Sequence, residues 1–361
     1  MPQPSFVLAR DGHGCRGEGV AAGFDAVAAA RAALAAGSAP VVTGALGFDT
    51  AAAAALTVPE RWSRSAPLRA HPPRPARLLA ETLTPAAEHA ARVRAALAAI
   101  DAGTVAKVVL ARQAEWTLES AVAPTDLLAA FAHIGPGAAI FGATLDAAPG
   151  HAGQWLLGAS PELLVRREGR TVTCHPYAGS APRQADPVAD EAAAQQLLQS
   201  RKDLAEHAFV VDDLRTRLAP LCVELDVPAR PVLMSTGEMW HLATPIHGRL
   251  ADDTVTALDL AALLSPTPAV GGTPTDAATA LITELEGPRD FYAGTVGWCD
   301  AAGDGEWLVS IRCLELGADH RTVRAWAGGG IVADSDPDAE VAETTAKFRT
   351  ARRALGLDPT G

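Results

Sequence analysis

The chain has 361 residues, 48% hydrophobic and 20% charged, with a formal net charge of −12. That length can bury one large core or two moderate ones, and the lack of any basic tract speaks against nucleic acid or anionic membrane as partners. No apolar run reaches spanning length, Met1–Ser5 has no secretory-signal pattern, and the five cysteines are scattered without a C-x-x-C pair, so a cytoplasmic protein with structural thiols is expected.

In chain order, residues 1 to about 80 alternate short apolar runs with Gly and Pro. Residues 39–48 read as a strand running into a turn, and 66–78, rich in proline, as an exposed connector. Thr84 to Ile100 has helical spacing, with Thr84 as N-cap before Pro85. Val105–Arg112 reads as a buried strand. Under a period of two, Lys107 shares a face with Val105, Val109 and Ala111. Desolvation there would lower its pKa toward that of a general base; the other reading is a strand-end lysine reaching solvent.

Trp155–Arg166 reads as two strands joined at Ser160-Pro161. Glu162, among apolar neighbours, is either a desolvated general acid or a hydrogen-bonded carboxylate at a strand end. Residues 175–183 form a small-residue loop. Asp190 to Leu218 reads as one long amphipathic helix on which Lys202 and Glu206 are spaced to pair. Val223–Val232 and Trp240–Gly248 read as strands, the latter with His241 and His247 on one face. Leu264–Pro274 is a Pro/Gly loop leading into a helix over 275–286. Residues 291–298, 306–312 and 320–326 read as consecutive antiparallel strands.

A flexible glycine loop at 327–333 then precedes a helix capped by Asp336, with Pro337 in its first turn. Glu340, Glu343 and Lys347 fall at i, i+3 and i+7 and share a face. That face is either a solvated ion pair worth roughly 0.2–0.5 kcal/mol or one wall of a site. Only three of the 30 Lys and Arg residues are lysines: Lys107, Lys202 and Lys347. Where arginine is the default cation, these are candidates for work that needs a compact or deprotonatable ammonium.

Several motifs occur in a telling order. They are the Lys107 strand, Gly158-Ala-Ser-Pro-Glu162, Ala178-Gly-Ser180, Lys202-Asp-x-x-Glu206-His207 and Pro266-Thr-Pro-Ala-Val-Gly-Gly272. Gly297-Trp-Cys-Asp300, Ser310-Ile-Arg-Cys313, Ala327-Gly-Gly-Gly-Ile-Val332 and Glu340-x-x-Glu343-Thr-x-x-Lys347 follow. Together they resemble the chorismate-utilising enzymes, and among these the isochorismate synthases, over about residues 85–355. Residues 1–80 resemble them weakly and would extend the same scaffold as one compact domain.

The resemblance implies an α+β fold: two large, mostly antiparallel sheets packed together, helices outside, and the active site in the cleft between sheets. It implies Mg²⁺ held by Glu206 and Glu343, with Glu340 adjacent or acting through water, which suits a cation that keeps few carboxylates and several waters. Arg312 would grip the enolpyruvyl carboxylate of chorismate as a planar fork, assisted by Tyr292, Gly328 and Lys347. Gly179, Ser180, His241 and Ala269 would complete the substrate site. Lys107 would activate water for attack at ring carbon 2, and Glu162 would protonate the hydroxyl leaving carbon 4.

Ala269, where pyruvate-releasing members carry a hydroxylated residue, leans toward isochorismate as the released product, feeding siderophore or menaquinone synthesis. Ser265 and Thr273 depart from the family pattern in the same loop. No glutaminase nucleophile motif is present in this chain, although that domain is often a separate subunit; with isochorismate as product no glutaminase subunit is expected, and the absence of a heptad seam points to a monomer. The alternatives are a salicylate synthase, an amine-transferring anthranilate or aminodeoxychorismate synthase, a degenerate, binding-only relative, or, from a different class, a non-catalytic or regulatory protein that uses Gly328–Gly330 to bind a nucleotide phosphate.

Overall fold

The strand expected around Lys107 runs from Lys107 to Leu118 and is the spine of the larger sheet. The computed structural model describes residues 4–10, 13–50, 53–65, 68–135, 137–235 and 239–357; residues 51–52 and 66–67, inside segments read above from sequence, lie outside these. Among the described residues the larger sheet has ten strands. Lys107–Leu118 pairs along its length with Thr322–Ile331, which pairs in turn with Cys313–Leu316. Trp155–Ser160, Ala139–Thr144, Pro4–Arg10, His13–Glu18 and Arg61–Ser65 continue the order.

The second sheet has nine strands among the described residues. Its centre is Leu163–Glu168, Gly305–Val309, Thr295–Asp300 and Val41–Leu46, all antiparallel. Residues 1–80 thus contribute strands to both sheets. The sheets pack face to face over Phe6, Leu110, Val165, Phe291 and Trp307. A second cluster, with Trp116, Phe131 and Phe348, seats helices Pro124–Ile134 and Pro337–Ala354 on the outer face of the larger sheet. Each such fully buried side chain contributes roughly 1.5–3 kcal/mol. Exposed ion pairs contribute about 0–1 kcal/mol, so packing between layers holds the fold.

The expected α+β architecture of two large sheets is present, and a third sheet of three strands, Tyr177–Pro182, Met239–Ala243 and Val232–Ser235, was not foreseen. The 175–183 segment therefore holds a strand. Val223–Val232 is two strands in different sheets, Cys222–Asp226 and Val232–Ser235, because Pro228 and Pro231 interrupt it. Pro245 likewise divides Met239–Ala243 from Ile246–Leu250, so His241 and His247 belong to different sheets and share no face.

The single helix expected over Asp190–Leu218 is two, Pro187–Gln199 and Arg201–Leu218. Ser200 is extended (φ −68°, ψ 112°) and its hydroxyl accepts from Asp203 N, capping the second helix. Thr84 does not cap its helix: its hydroxyl donates to Gln113 O and accepts from Gln113 N. The flexible glycine loop is corrected most: Gly328, Gly329 and Gly330 sit inside the strand Thr322–Ile331, opposite Ala111, Leu110 and Val109. Glycine is a poor strand former, but a long partner supplies the ladder and neighbouring side chains need the room.

Candidate active site

Two places where the chain crosses between the large sheets lie side by side. One is Pro161–Glu162, after Trp155–Ser160. The other is Ser310–Arg312, after Gly305–Val309, so the predicted run of hairpins is broken by a change of sheet. Ser160 Oγ donates to Val309 O (2.7 Å), Val309 N to Glu162 O (3.1 Å) and Ala159 N to Arg312 O (3.1 Å). These bonds fix Glu162 and Arg312 relative to one another. Arg312 takes φ +51°, a left-handed conformation costly for a residue with a Cβ, of the kind that collects at functional sites.

The crossings open on a cleft of ≈ 920 Å³, counted to its open mouth. Glu162, Gly179, Ser180, Glu206, His241, Ala269, Tyr292, Arg312, Gly328, Glu343 and Lys347 all line it. Of the site residues implied by the resemblance, Lys107 and Glu340 do not; each is buried one layer behind and paired with a residue that does. Trp326, Lys202 and Asp203 also line it. Lys202 carried a sequence signal, its rarity. Trp326, stacked on Tyr292 at 5.5 Å and 9°, carried none.

Each of the three lysines pairs with one of the three glutamates read as metal ligands. Lys107 Nζ is 3.0 Å from Glu206 Oε1, Lys202 Nζ 3.2 Å from Glu340 Oε1, and Lys347 Nζ 2.5 Å from Glu343 Oε1. Lys347 also donates to Gly328 O at 2.8 Å. Lys107 is fully buried, and its Nζ has this ionic contact but no aligned hydrogen bond. The predicted Glu343–Lys347 pairing along the helix is present, while the other, Lys202 with Glu206, gives way to Lys202–Glu340 and Lys107–Glu206, both between elements.

The glycine strand makes this possible. A Cβ on Gly330 would lie 2.2 Å from Glu206 Oε1, one on Gly329 2.6 Å from Glu340 Oε2, and one on Gly328 3.0 Å from the Tyr292 hydroxyl. The carboxylates therefore rest directly on backbone.

Burial pushes the Glu162 carboxyl up to about 8, against a backbone hydrogen bond at Tyr177 and the Lys107 charge. It is a neutral acid at pH 7. Burial, with the Arg312 and Lys347 charges, takes His241 down to about 3, so it is a neutral imidazole. Burial would raise Glu343, but Lys347, Lys202 and Arg312 outweigh it and hold the carboxylate low. Glu340 is raised by burial and by Glu343, despite Lys202. The result is a cleft with cations at Arg312, Lys347 and Lys202, an ionised Glu343 and a protonated acid, in a chain of net charge −12.

Among the described residues no group of three or more His, Cys, Asp and Glu forms a ready-made metal cage. Mg²⁺ does not require one. Glu206 and Glu343 line the cleft, Glu340 Oε2 is buried with no hydrogen-bond partner, and the glycines leave the carboxylates unobstructed. These residues fit a divalent cation held by few carboxylates.

A neutral carboxylic acid, a buried lysine and cationic anchors around one cleft define an enzyme site for a small anionic substrate. The family model described as chorismate binding enzyme matches residues 45–356, and the chain belongs to that family. A protein of Mycobacterium tuberculosis (strain ATCC 25618 / H37Rv) named MenF is 49% identical, over 99% of this chain and 97% of its own. The isochorismate synthase DhbC of Bacillus subtilis (strain 168) is 45% identical, over 89% of this chain and 82% of its own. The crystal structure of DhbC from Bacillus anthracis matches with a TM-score of 0.88 at 37% identity, covering 98% of this chain and 97% of that one.

Proposed function

We propose that this chain is an isochorismate synthase, a Mg²⁺-dependent isomerase that converts chorismate to isochorismate in the cytoplasm. The observation that carries the reading is Glu162, a carboxyl kept protonated by burial, in a cleft also lined by Arg312, Lys347 and Lys202. Hydroxide leaves a ring poorly unless it is protonated, and a neutral carboxylic acid supplies that proton at pH 7.

Arg312 grips one substrate carboxylate through its planar fork, and Lys347, held by Glu343 and Gly328 O, adds charge beside it. Tyr292, flat against Trp326, and neutral His241, across from Ser180 in the small sheet, orient the enolpyruvyl side. Gly179 and Ala269 leave room for the ring. Lys107, acting in its neutral form once Glu206 has turned away, takes a proton from the water that adds at carbon 2, while Glu162 gives its proton to the hydroxyl departing from carbon 4. Mg²⁺, held by Glu206 and Glu343 with Glu340 behind, would neutralise and orient the remaining carboxylate.

The test is purified protein with chorismate, with and without Mg²⁺, and product identification by chromatography. Isochorismate formed only with the metal supports the proposal. Salicylate with pyruvate, or anthranilate on adding ammonium, would assign it to another branch of the family; no turnover would leave a binding-only relative.

A further inference from the structure

The strand Lys107–Leu118 has a gap along one edge. On the side away from the glycine strand, Leu78–Leu83 covers Leu118 to Ala114, and Thr84 continues the pairing to Gln113. Gly272–Thr273 covers Val108 and Lys107, and Val109 N donates to Gly271 O at 2.7 Å. Between these two partners, Val109 O and Ala111 N face side chains in place of a strand. Arg289 Nη2 donates to Val109 O at 2.7 Å, and Glu286 Oε1 accepts from Ala111 N at 2.6 Å.

The two side chains also bind each other, Nη2 to Oε1 at 2.9 Å and Nε to Oε2 at 2.9 Å, while Arg289 Nη1 donates to Val270 O at 2.8 Å. Their side chains are 2% and 6% exposed. The guanidinium lies 5.8 Å from the centre of the Tyr292 ring, and Arg289 O accepts from Tyr292 N at 3.0 Å. A buried ion pair is poor evidence for stability, since apolar residues of similar volume serve as well. This one is spent on backbone. It joins the strand two residues from Lys107, the loop residue next to Ala269, and the turn that presents Tyr292.

We propose that Glu286 and Arg289 form a positioning pair that completes the ladder of the Lys107 strand and thereby sets Lys107, Ala269 and Tyr292 relative to one another. Its catalytic consequence rests on the isochorismate synthase reading. Neither residue touches the cleft, so both act through the segments they hold. A misplacement of about 1 Å costs on the order of 10²-fold in rate. Lysine at position 289 keeps the charge but lacks the fork needed to reach two carbonyls and a carboxylate together.

The test uses Glu286→Gln, Arg289→Lys and the apolar double variant Glu286→Met/Arg289→Met, the last guarding against a lone buried charge. Amide hydrogen exchange is read without substrate over residues 108–112 and 268–272, beside melting temperature, kcat and KM. The expected result is faster exchange confined to those two segments and a kcat about 10²-fold lower with KM little changed, in the double variant as well. Wild-type exchange and kcat would overturn the proposal, as would exchange rising evenly across the molecule with kcat following the loss of fold. Absence of turnover in the wild-type chain would count against the proposed reaction, while the exchange experiment would still decide the clamp.

Discussion

Lys107 Nζ and Glu206 Oε1 are 3.0 Å apart, with the lysine wholly buried and the glutamate on the cleft wall. The ammonium has no aligned hydrogen bond of its own, so the pair is an electrostatic latch between the larger sheet and the Arg201–Leu218 helix. In the proposed reaction Lys107 acts as base only in its neutral form, after Glu206 has turned from it.

Replacing Lys107 by Met should lower turnover of chorismate by about 10²–10⁴-fold, the usual worth of a positioned general base. Arg at 107 should fail equally, because a guanidinium keeps its proton. Steady-state isochorismate formation by the two variants checks this; activity near wild type in either would remove Lys107 from the chemistry.

Glu162 makes a prediction in pH. With its carboxyl at about 8, the acid is lost as pH rises through that value, so kcat should fall on the alkaline side. Stability follows the same sign. The folded-state value lies above the ordinary 4.5, so the contribution is present in full below about 4.5 and is lost as pH rises to about 8. Glu162→Gln should be inactive at all pH values, yet gain in melting temperature relative to wild type between those limits. A constant difference across pH would contradict the neutral acid.

Gly330→Ala should cost function more than fold. Its Cβ would sit 2.2 Å from Glu206 Oε1 and 3.2 Å from Lys107 Cε, the far ends of side chains that can move aside. The melting temperature should change little, while activity drops as steeply as in a Lys107 variant. Retained activity would show that the carboxylate does not need its place on the glycine strand.

Glu343→Ala should remove both Mg²⁺ binding, read by titration calorimetry without substrate, and turnover. Lys347 loses its 2.5 Å partner but keeps Gly328 O, so the helix should persist with its Asp336 cap. A modest stability loss with normal Mg²⁺ binding would reduce the pair to a surface contact.

The side chains were more legible than the path of the backbone. Lysine scarcity marked Lys107, Lys202 and Lys347; Lys202 and Lys347 line the cleft and Lys107 sits one layer behind it, paired with Glu206 on its wall, because residue type reflects chemistry directly. Helical spacing correctly put Glu340, Glu343 and Lys347 on one face, but not that Glu340 is buried behind the cleft; depth depends on what packs above. The glycine run was read as flexible because glycine is weak in strands, and only its pairing with Val109–Ala111 overrides that preference. The changes of sheet at Glu162 and Arg312 have no local signature, since a strand reads the same in either sheet. Glu286 and Arg289 were missed for a related reason: a side chain standing in for a missing strand is visible only once the gap is.

The most direct measurement is early turnover of chorismate in H₂¹⁸O with Mg²⁺, followed by mass spectrometry of the product. Water attack assisted by Lys107, with departure of the hydroxyl protonated by Glu162, predicts isochorismate carrying one ¹⁸O at carbon 2, formed about 10²–10⁴-fold more slowly by Lys107→Met and not at all by Glu162→Gln. Isochorismate without label, or label incorporated undiminished by both variants, would contradict it.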